Sequence, residues 1–485
     1  MEKTAASLLS FAIQTETPQA YTSELAEFLY QKLVLQRRPL AVNFERTTQN
    51  NEQVFTFKLQ DPQGRWSADV EMRIGKTVDV RLTPSSIAPV PQQVLDQFKD
   101  DTYTAVETFE EQTRRRTVYF TWVEGVKMMP EKSPFRRRRP LDKILFENMI
   151  LLYIILLVFS VFLFFLLAPI FGDLVPFALV GVQLLIVLAA PRLIAHGADW
   201  RITEKNSNVH ILMYTVPREE SQIFRQKFNK DTLMQMKMEI YQKTLALGKT
   251  IDCQTAQEVF AKYGITCLPE NIQVKTVNVY KLVKTVADKF GVPVPKIVIS
   301  NTIIPNAAAT GPGPRHGTIL ITTGILVQLE EDELLAVLGH EFSHLTGRDP
   351  LALFGLIAAE YLFRFYVILP ILFDYDIFLF YIYFIAAFIV IFFIAKFFEA
   401  RADLVSAIRM GTPQFLASAL RKIGFKRLSM EKSQSLRFQT WLGFDPHPPI
   451  YFRVDRLEKL QPPVEVKHPM LRSIKDCING FFASF

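Results

Sequence analysis

The chain has few of the residues that most often build redox or structural metal sites, with three cysteines and seven histidines among its 485 residues. Cys253, Cys267 and Cys477 lack the C-x-x-C spacing of a cysteine-ligated zinc cluster. An odd number of cysteines in a reducing compartment is typical of free thiols. The sequence also shows no internal repeat and no cleavable signal peptide. These absences exclude a disulfide scaffold and a cysteine-based zinc site as the basis of the fold.

Charged residues are scarce in four long apolar runs. These runs are residues 149–170, 174–190, 351–373 and 377–398. The first has the length of a helix that crosses the apolar core of a bilayer, about 30 Å at about 1.5 Å per residue. Only short loops separate the members of each pair, at 171–173 and at 374–376. With 41 phenylalanines and a positive mean hydropathy, the sequence predicts four transmembrane helices in two tight hairpins, 145–196 and 351–398.

Basic residues indicate how the hairpins are oriented. Those before the first run are Lys127, Lys132, Arg136, Arg137, Arg138, Arg139 and Lys143. Arg192 and Arg201 follow the second run, whereas the two connecting loops contain three aspartates and no basic residue. By the positive-inside rule, both chain ends and the residues between the hairpins face the cytoplasm. The net charge of +7 is then explained by anchoring to the lipid bilayer, and no nucleic-acid partner is expected.

The strongest signal for chemistry is residues 340–344, which read HEFSH within a segment of helical apolar spacing, 331–347. His340 and His344 are four residues apart, so both rings project from one face of a helix and can bind one metal ion. Glu341 directly follows the first histidine, where its carboxylate can accept a proton from a metal-activated water. This spacing predicts a zinc hydrolase site.

A third metal ligand must come from elsewhere in the chain. The position where one common zinc-protease motif has a third histidine holds Pro350, and Asp349 before it is expected to end the helix. Glu399 and Asp403 are four residues apart on a later helical segment, so one can bind the metal while the other orients a histidine ring. A tight hairpin over 351–398 returns the chain to the same membrane face. This return favours Glu399 as the third ligand.

Outside the apolar runs, the sequence predicts mixed α+β structure. Residues 1–140 are expected to form a separate accessory domain with a helix at 91–116. Alternation of apolar and polar residues predicts strands at 42–44, 54–59, 68–74 and 78–82. Residues 200–290 are expected to be mostly helical. Further strands are expected at 296–300 and 317–322. The small residues between these strands, 305–311, form either a plain loop or an edge strand that pairs with an extended peptide.

Together these features resemble the HtpX-like membrane zinc metalloproteases, whose relatives include the CaaX prenyl proteases. The resemblance covers roughly residues 145–460 and rests on four motifs in order. The motifs are residues 306–311 (NAAATG), 340–344 with Asp349, 399–403 (EARAD) and 447–453 (HPPIYFR). The resemblance implies a mainly helical, gluzincin-type metalloprotease domain with a small sheet, which follows the N-terminal α+β domain and carries the four membrane helices.

The resemblance also implies roles for individual residues. The implied zinc ligands are His340, His344 and Glu399, with one Zn²⁺ per chain. Glu341 is the implied general base and proton shuttle, and His447 the residue that stabilises the developing oxyanion. The residues implied to hold the substrate backbone are Asn306 and Ala307. The residues expected to support the metal ligands without binding the ion are Asp403 and Arg453.

We therefore expect a multi-pass membrane endopeptidase whose active site faces the cytoplasm. The expected regions are 1–140 (accessory domain), 145–196 (first hairpin), 200–350 (protease region with the HExxH helix), 351–398 (second hairpin) and 399–485 (C-terminal protease region). Four spans fit the HtpX type better than the CaaX type, which favours quality control of unfolded or damaged membrane proteins or peptides. The alternatives are a protease that processes prenylated peptides and a catalytically silent zinc-binding scaffold, although the intact Glu341 argues against the scaffold.

Overall fold

The computed structural model describes residues 9–37, 40–50, 52–85, 88–126, 149–266, 268–372, 377–431 and 434–484. These residues fall into two compact units. The first unit combines residues 1–134, 210–276 and 424–429, and the second combines 135–209, 277–423 and 430–485. The basic cluster before the first apolar run, the loop 374–376, Cys267 and the predicted domain boundary near residue 140 lie outside the described residues.

The first unit contains a five-stranded antiparallel sheet with two helices. Its strands are β1 (Leu9–Gln14), β2 (Ala41–Gln49), β3 (Glu52–Gln60), β4 (Ser67–Ile74) and β5 (Thr77–Pro84), in the order β1-β5-β4-β3-β2. The helices are α1 (Thr22–Leu29) and α2 (Gln92–Arg115). Alternate residues of β4 and β5, such as Val70 and Val80, are buried in one core with α1 and α2, since side chains of a strand point to opposite faces. The predicted meander and long helix are confirmed here.

The first unit also contains a three-stranded sheet in the order β6-β8-β9. Its strands are β6 (Thr117–Val123), β8 (Asn208–Thr215) and β9 (Ile272–Asn278), and the boundaries between the two units fall inside β8 and β9. The helices of this part are α5 (Ser221–Lys227), α6 (Lys230–Lys243) and α7 (Cys253–Lys262). Nearly every residue of β8 is buried, so the alternation that marks a half-exposed strand is missing. The prediction that 200–290 is mostly helical is therefore wrong for β8 and β9.

The second unit begins with two long apolar helices, α3 (Met149–Phe171) and α4 (Val175–Gly197), which a short turn at Gly172–Leu174 separates. They lie side by side, as shown by a 3.0 Å hydrogen bond that Gln183 Nε2 donates to Ser160 Oγ. The two helices therefore form a hairpin.

A second pair of apolar helices lies later in the same unit. Its first member is α11 (Asp349–Phe363), which continues through a π-helical segment (Arg364–Ile368) into α12 (Leu369–Leu372), and its second member is α13 (Ile377–Met410). Glu360 accepts hydrogen bonds from Arg364 Nε at 2.9 Å and from the Tyr383 hydroxyl at 3.3 Å. This polar contact joins the two members of the pair.

Three stretches of the described residues are long and apolar enough to cross a membrane. They are Leu157–Gly197, Asp349–Ile371 and Phe378–Met410. The first stretch runs from Leu157, within α3, to the end of α4. By length and composition these stretches indicate an integral membrane protein, while the number of four spans stays a prediction.

A small four-stranded sheet and several helices complete the second unit. The strands are β7 (Trp200–Ile202), β10 (Lys296–Ser300), β11 (Ala307–Thr310) and β12 (Thr318–Thr322), in the order β11-β12-β10-β7. The helices are α8 (Val279–Phe290), α9 (Thr323–Gln328), α10 (Glu331–Gly347), α14 (Pro413–Met430), α15 (Gln434–Leu442), α16 (Ile450–Glu458) and α17 (Pro469–Phe482). The strands predicted at 296–300 and 317–322 are confirmed. Of the two alternatives for 305–311, the structure shows an edge strand, β11.

Candidate metal centre

Helix α10 carries the HEFSH segment and has well-defined ends. It starts with a capping box, a reciprocal pair of hydrogen bonds in the first turn. The Glu333 carboxylate accepts a 3.0 Å hydrogen bond from the Glu330 backbone N–H, and the Glu330 side chain accepts one from the Glu333 backbone N–H. It ends at Gly347, and Arg348 follows in the left-handed region with φ of 55°. Between these ends, His340 and His344 lie on one face with ring centroids 4.7 Å apart.

Close packing between α10 and α13 brings Glu399 to the two histidines. Gly339 directly precedes the first histidine, and a Cβ built on it would lie 2.7 Å from both Ser406 Oγ and Met410 Cγ. Ser406 Oγ also donates a 2.8 Å hydrogen bond to the carbonyl of Ala336. A larger residue at position 339 would have to displace these two side chains, so the glycine permits the close approach of α13.

The side chains of His340, His344 and Glu399 converge so that their potential ligand atoms face one another. The two Nε2 atoms are 3.1 Å apart, Glu399 Oε2 is 3.5 Å from His340 Nε2, and Glu399 Oε1 is 3.4 Å from His344 Nε2. Ligands of a tetrahedral zinc ion at about 2.0–2.1 Å are roughly 3.3 Å apart. Glu399 Oε2 is also buried without a hydrogen-bond partner among the residues that the structure describes. The donor set therefore fits a zinc ion.

His340 is oriented by Asp403. The ring Nδ1 lies 2.9 Å from Asp403 Oδ1, and the same carboxylate accepts two hydrogen bonds from Arg453, at 2.7 and 2.8 Å. Burial lowers the pKa of His340, but the neighbouring carboxylates of Asp403 and Glu399 raise this pKa to about 10. Metal binding must then displace a proton from the ring, so metal affinity is expected to fall as the pH falls.

His344 is oriented by a carboxylate for which the sequence predicted a different role. Its Nδ1 lies 2.8 Å from Asp349 Oδ2, which also accepts a 2.6 Å hydrogen bond from Arg401. Arg401 in turn donates to the carbonyl of Ser343 at 2.9 Å. Asp349 contacts the ring nitrogen opposite the one that faces Glu399, so it is placed to orient the His344 ring and lies outside the group of converging ligand atoms. Two features of the sequence could have indicated this contact: Asp349 follows His344 closely, and Arg401 lies inside the EARAD motif.

The carboxylate of Glu341 lies between α10 and β11. The residue is 8% exposed, and burial raises the pKa of its carboxyl group. The backbone N–H of Ala309 in β11 hydrogen-bonds to it. A carboxyl group with a raised pKa is suited to accept a proton and return it near neutral pH.

Strand β11 presents one edge of its backbone towards this carboxylate. Asn306, just before the strand, accepts a 3.0 Å hydrogen bond from Thr322 N and donates a 2.9 Å bond to Thr322 Oγ1. Hydrogen-bonded residues alternate in an antiparallel pair, so the backbone groups of Ala307 and Ala309 point away from β12. The contact between Ala309 and Glu341 shows that this outer edge faces the site.

His447 lies at the rim of the cluster. Its Nε2 is 3.7 Å from Glu399 Oε2, and its Nδ1 is 2.8 Å from Asp445 Oδ1. Desolvation lowers the pKa of His447, but Glu399 and Asp445 raise it above its ordinary value. The buried Lys396 donates to the carbonyls of Gly443 at 3.3 Å and Asp445 at 2.5 Å. Sequence reasoning missed Asp445, although an aspartate two residues before a histidine is a recognisable local signal.

Comparison with known proteins places this site in a family. Residues 273–461 match the family model described as peptidase family M48. A protein described as "Protease HtpX homolog" from Caldanaerobacter subterraneus subsp. tengcongensis is 31% identical over 212 residues, which cover 37% of this chain and 71% of that protein. The chain belongs to peptidase family M48. The M48 match includes every residue predicted for the site, from Asn306 to Arg453, and ends before helix α17.

Two further relatives carry the same description, "Protease HtpX homolog". The protein from Tropheryma whipplei (strain TW08/27) is 29% identical over 220 residues, 42% of this chain and 74% of that protein. The protein from Thermodesulfovibrio yellowstonii is 40% identical over 91 residues, so the match spans 19% of this chain and only 31% of that relative. Among solved structures, S. mikatae Ste24p aligns at 21% identity over 36% of this chain and 49% of that chain, with a TM-score of 0.31. That score is too low to support a fold argument.

Proposed function

We propose that this M48 chain is a zinc-dependent, HtpX-like endopeptidase that cleaves peptide bonds at the cytoplasmic surface of the membrane. The observation that carries the proposal is the convergence of His340, His344 and Glu399 beside the buried carboxylate of Glu341. The edge strand β11 lies against that carboxylate, which supports a peptide as the substrate. A group that can hold zinc, a proton acceptor and a peptide-binding edge together are the parts that metal-assisted peptide hydrolysis uses.

In the proposed mechanism, His340, His344 and Glu399 would hold one zinc ion. The ion would supply Lewis-acid polarisation of the scissile carbonyl and would lower the pKa of a water molecule. Asp403 and Asp349 each bind the Nδ1 atom of one histidine, which leaves both Nε2 atoms directed at the site. Arg453 and Arg401 fix these two carboxylates. The supporting groups therefore set the ring orientation before a metal binds.

Glu341 moves the proton. Its carboxylate accepts a proton from the water that attacks the carbonyl carbon, and the raised pKa favours this acceptance. As the carbon–nitrogen bond breaks, Glu341 returns that proton to the leaving amine. The carboxylate is ionised again at the end, so one water is consumed for each peptide bond.

The outer edge of β11 is the proposed site for the substrate backbone. An extended peptide can add to this edge as a further antiparallel strand and bond to the outward N–H and C=O groups of Ala307. The small side chains of residues 307–309 allow the close approach of another chain. Asn306 precedes this edge, where its side-chain amide can hold the peptide at the end of the strand.

Replacing His447 by alanine is expected to lower kcat/KM by no more than about 10²- to 10³-fold, the usual cost of removing one donor to an oxyanion. The loss should be smaller than that caused by removing the proton acceptor, because a bound zinc ion would still stabilise the oxyanion without His447. The measurement is hydrolysis of a fluorogenic peptide in detergent, together with zinc content. His468→Ala, at an exposed His-Pro pair outside the site, is the matched control. Unchanged hydrolysis in His447→Ala would remove His447 from the mechanism.

The cytoplasmic position of the site is proposed from the distribution of basic residues. Single cysteines introduced at Asp173 and Asp374 are expected to react with an impermeant maleimide only from outside the cell. Cysteines at Arg201 and Lys426 should react only after the membrane is opened. The background for these variants has the native cysteines changed to serine. Labelling of intact cells at Arg201 would contradict a cytoplasmic active site.

Unfolded or damaged membrane proteins are the proposed substrates. Helices α11 and α13 both carry residues near the site and belong to apolar stretches that are long enough to cross a membrane. An active site at the end of such helices is within reach of protein chains that leave the bilayer. A pull-down from native membranes with Glu341→Gln should retain such proteins when zinc is present. Recovery of prenylated peptides instead would favour the CaaX-type activity.

A further inference from the structure

Helix α17 lies beyond the segment that the family model matches and packs along α13. The rings of Phe481 and Phe393 are 5.5 Å apart between centroids, and Cys477 Sγ lies 3.8 Å from the carbonyl of Lys396. Residue numbers rise along α17 as they fall along α13. The two helices are therefore antiparallel, and the end of α17 lies beside the apolar part of α13.

The position of Phe393 indicates the depth of this end. Residues 377–397 of α13 extend about 30 Å, which is the thickness of the apolar core of a bilayer. Phe393 lies within that length, roughly 9 Å from Glu399 along the helix axis. With residues 377–397 as the membrane-crossing part of α13, the end of α17 beside Phe393 lies at the depth of the apolar layer.

One face of α17 is apolar and exposed at this depth. Leu471, Ile478 and Phe482 are 65%, 39% and 66% exposed, and they follow each other by seven and four residues, which places them on one helix face. Cys477 is buried towards α13, and Asp476 on the other flank accepts a 2.8 Å hydrogen bond from Arg456. The exposed apolar face therefore differs from the faces that contact α13 and α16.

A second exposed aromatic residue lies beside the same helix. Phe444, three residues before His447, is 43% exposed. Its ring centroid is 5.8 Å from that of Phe392 and 6.5 Å from that of Phe388, both in the apolar part of α13. The loop that carries His447 thus also reaches the depth of the apolar layer.

We propose that bilayer lipid covers a collar formed by Phe444, Leu471, Ile478 and Phe482, so that α17 and the His447 loop dip into the membrane beside α13. The collar adjoins the exposed apolar side chains of α13 itself, which continue towards the other end of that helix. Lys475 is exposed on the same face of α17 as the apolar residues, where a long stem lets its ammonium group reach the lipid headgroups. The collar fixes how deep the metal centre sits, independently of any proteolytic activity.

The proposal is tested with one cysteine introduced at a time, at Phe444, Ile478 or Phe482, and labelled with bimane. The zinc-loaded full chain is placed in nanodiscs of phosphatidylcholine and phosphatidylglycerol that hold one copy each. Cys253 and Cys267 are changed to serine, whereas the buried Cys477 is kept. The matched control is a cysteine at Asn479, which is exposed and adjacent to Ile478 but on the polar flank.

Bimane at Phe444, Ile478 and Phe482 should be quenched by lipids that carry a nitroxide on the acyl chain and protected from aqueous iodide. Its emission should also shift to shorter wavelength than at Asn479, where iodide should quench more strongly than lipid. Iodide quenching at Phe482 equal to that at Asn479 would overturn the proposal. Protection from both quenchers in these single-copy discs would also overturn it, since another part of the chain would then cover the collar. Neither outcome depends on hydrolysis, so a failure here is distinct from a failure of the proposed activity.

Discussion

Changing Glu341 to glutamine is expected to abolish most peptide hydrolysis while the zinc content stays at the wild-type level. Glutamine has nearly the same size and can form hydrogen bonds, but it cannot accept the proton of the attacking water. General acid–base catalysis typically contributes about 10²- to 10⁴-fold. Because Glu341 also returns the proton to the leaving amine, the loss in kcat should reach or exceed the upper end of that range.

The measurement is the rate of cleavage of an unfolded membrane substrate, with self-cleavage in detergent as a second readout. Glu331→Gln is the matched control, because it makes the same chemical change at an exposed position of the same helix and should leave the rate unchanged. Equal rates for wild type and Glu341→Gln would show that the assigned mechanism is wrong. Cleavage in neither protein would favour the silent scaffold.

Glu399→Ala is expected to lose most of its bound zinc and remain folded. The change removes one of three protein ligands, whereas Asp349→Ala removes only the partner of His344 Nδ1. Loss of such a supporting group typically costs about 10- to 100-fold in metal affinity. The order of zinc affinity should therefore be wild type, then Asp349→Ala, then Glu399→Ala.

Zinc content by mass spectrometry of metals and a competition titration with a chelator give this order, and thermal unfolding reports whether each variant is folded. If Glu399→Ala kept all of its zinc and Asp349→Ala lost it, the third ligand would be Asp349 and not Glu399. The geometry opposes that result, since Asp349 contacts the ring nitrogen that faces away from the other ligands.

The metal cluster could be predicted from the sequence because local rules determine most of it. The spacing of His340 and His344 fixes one helix face, and a tight apolar hairpin limits where the chain can return. These two constraints are enough to bring Glu399 within reach. The structure adds Gly339, whose missing side chain lets α13 approach closely.

The supporting groups were harder to predict because they depend on three-dimensional contacts. Arg401 binds Asp349 across two helices, and Lys396 holds the loop of Asp445 through backbone carbonyls. Neither contact corresponds to a recognisable spacing of residues in the sequence, because the partners come from distant parts of the chain. Strand β8 was misread for a related reason, since nearly all of its residues are buried and the exposed polar positions that mark a half-exposed strand are missing.

The central claim is that zinc bound at this site is required for peptide hydrolysis, and removing and restoring zinc in the purified wild-type protein tests it most directly. Zinc content and cleavage rate should be measured in the same samples, before chelation, after chelation and after stepwise return of zinc. The account predicts that hydrolysis falls with the zinc content, returns in proportion to added zinc and is complete at one ion per chain. Hydrolysis that persists at the starting rate after the zinc has been removed would contradict it.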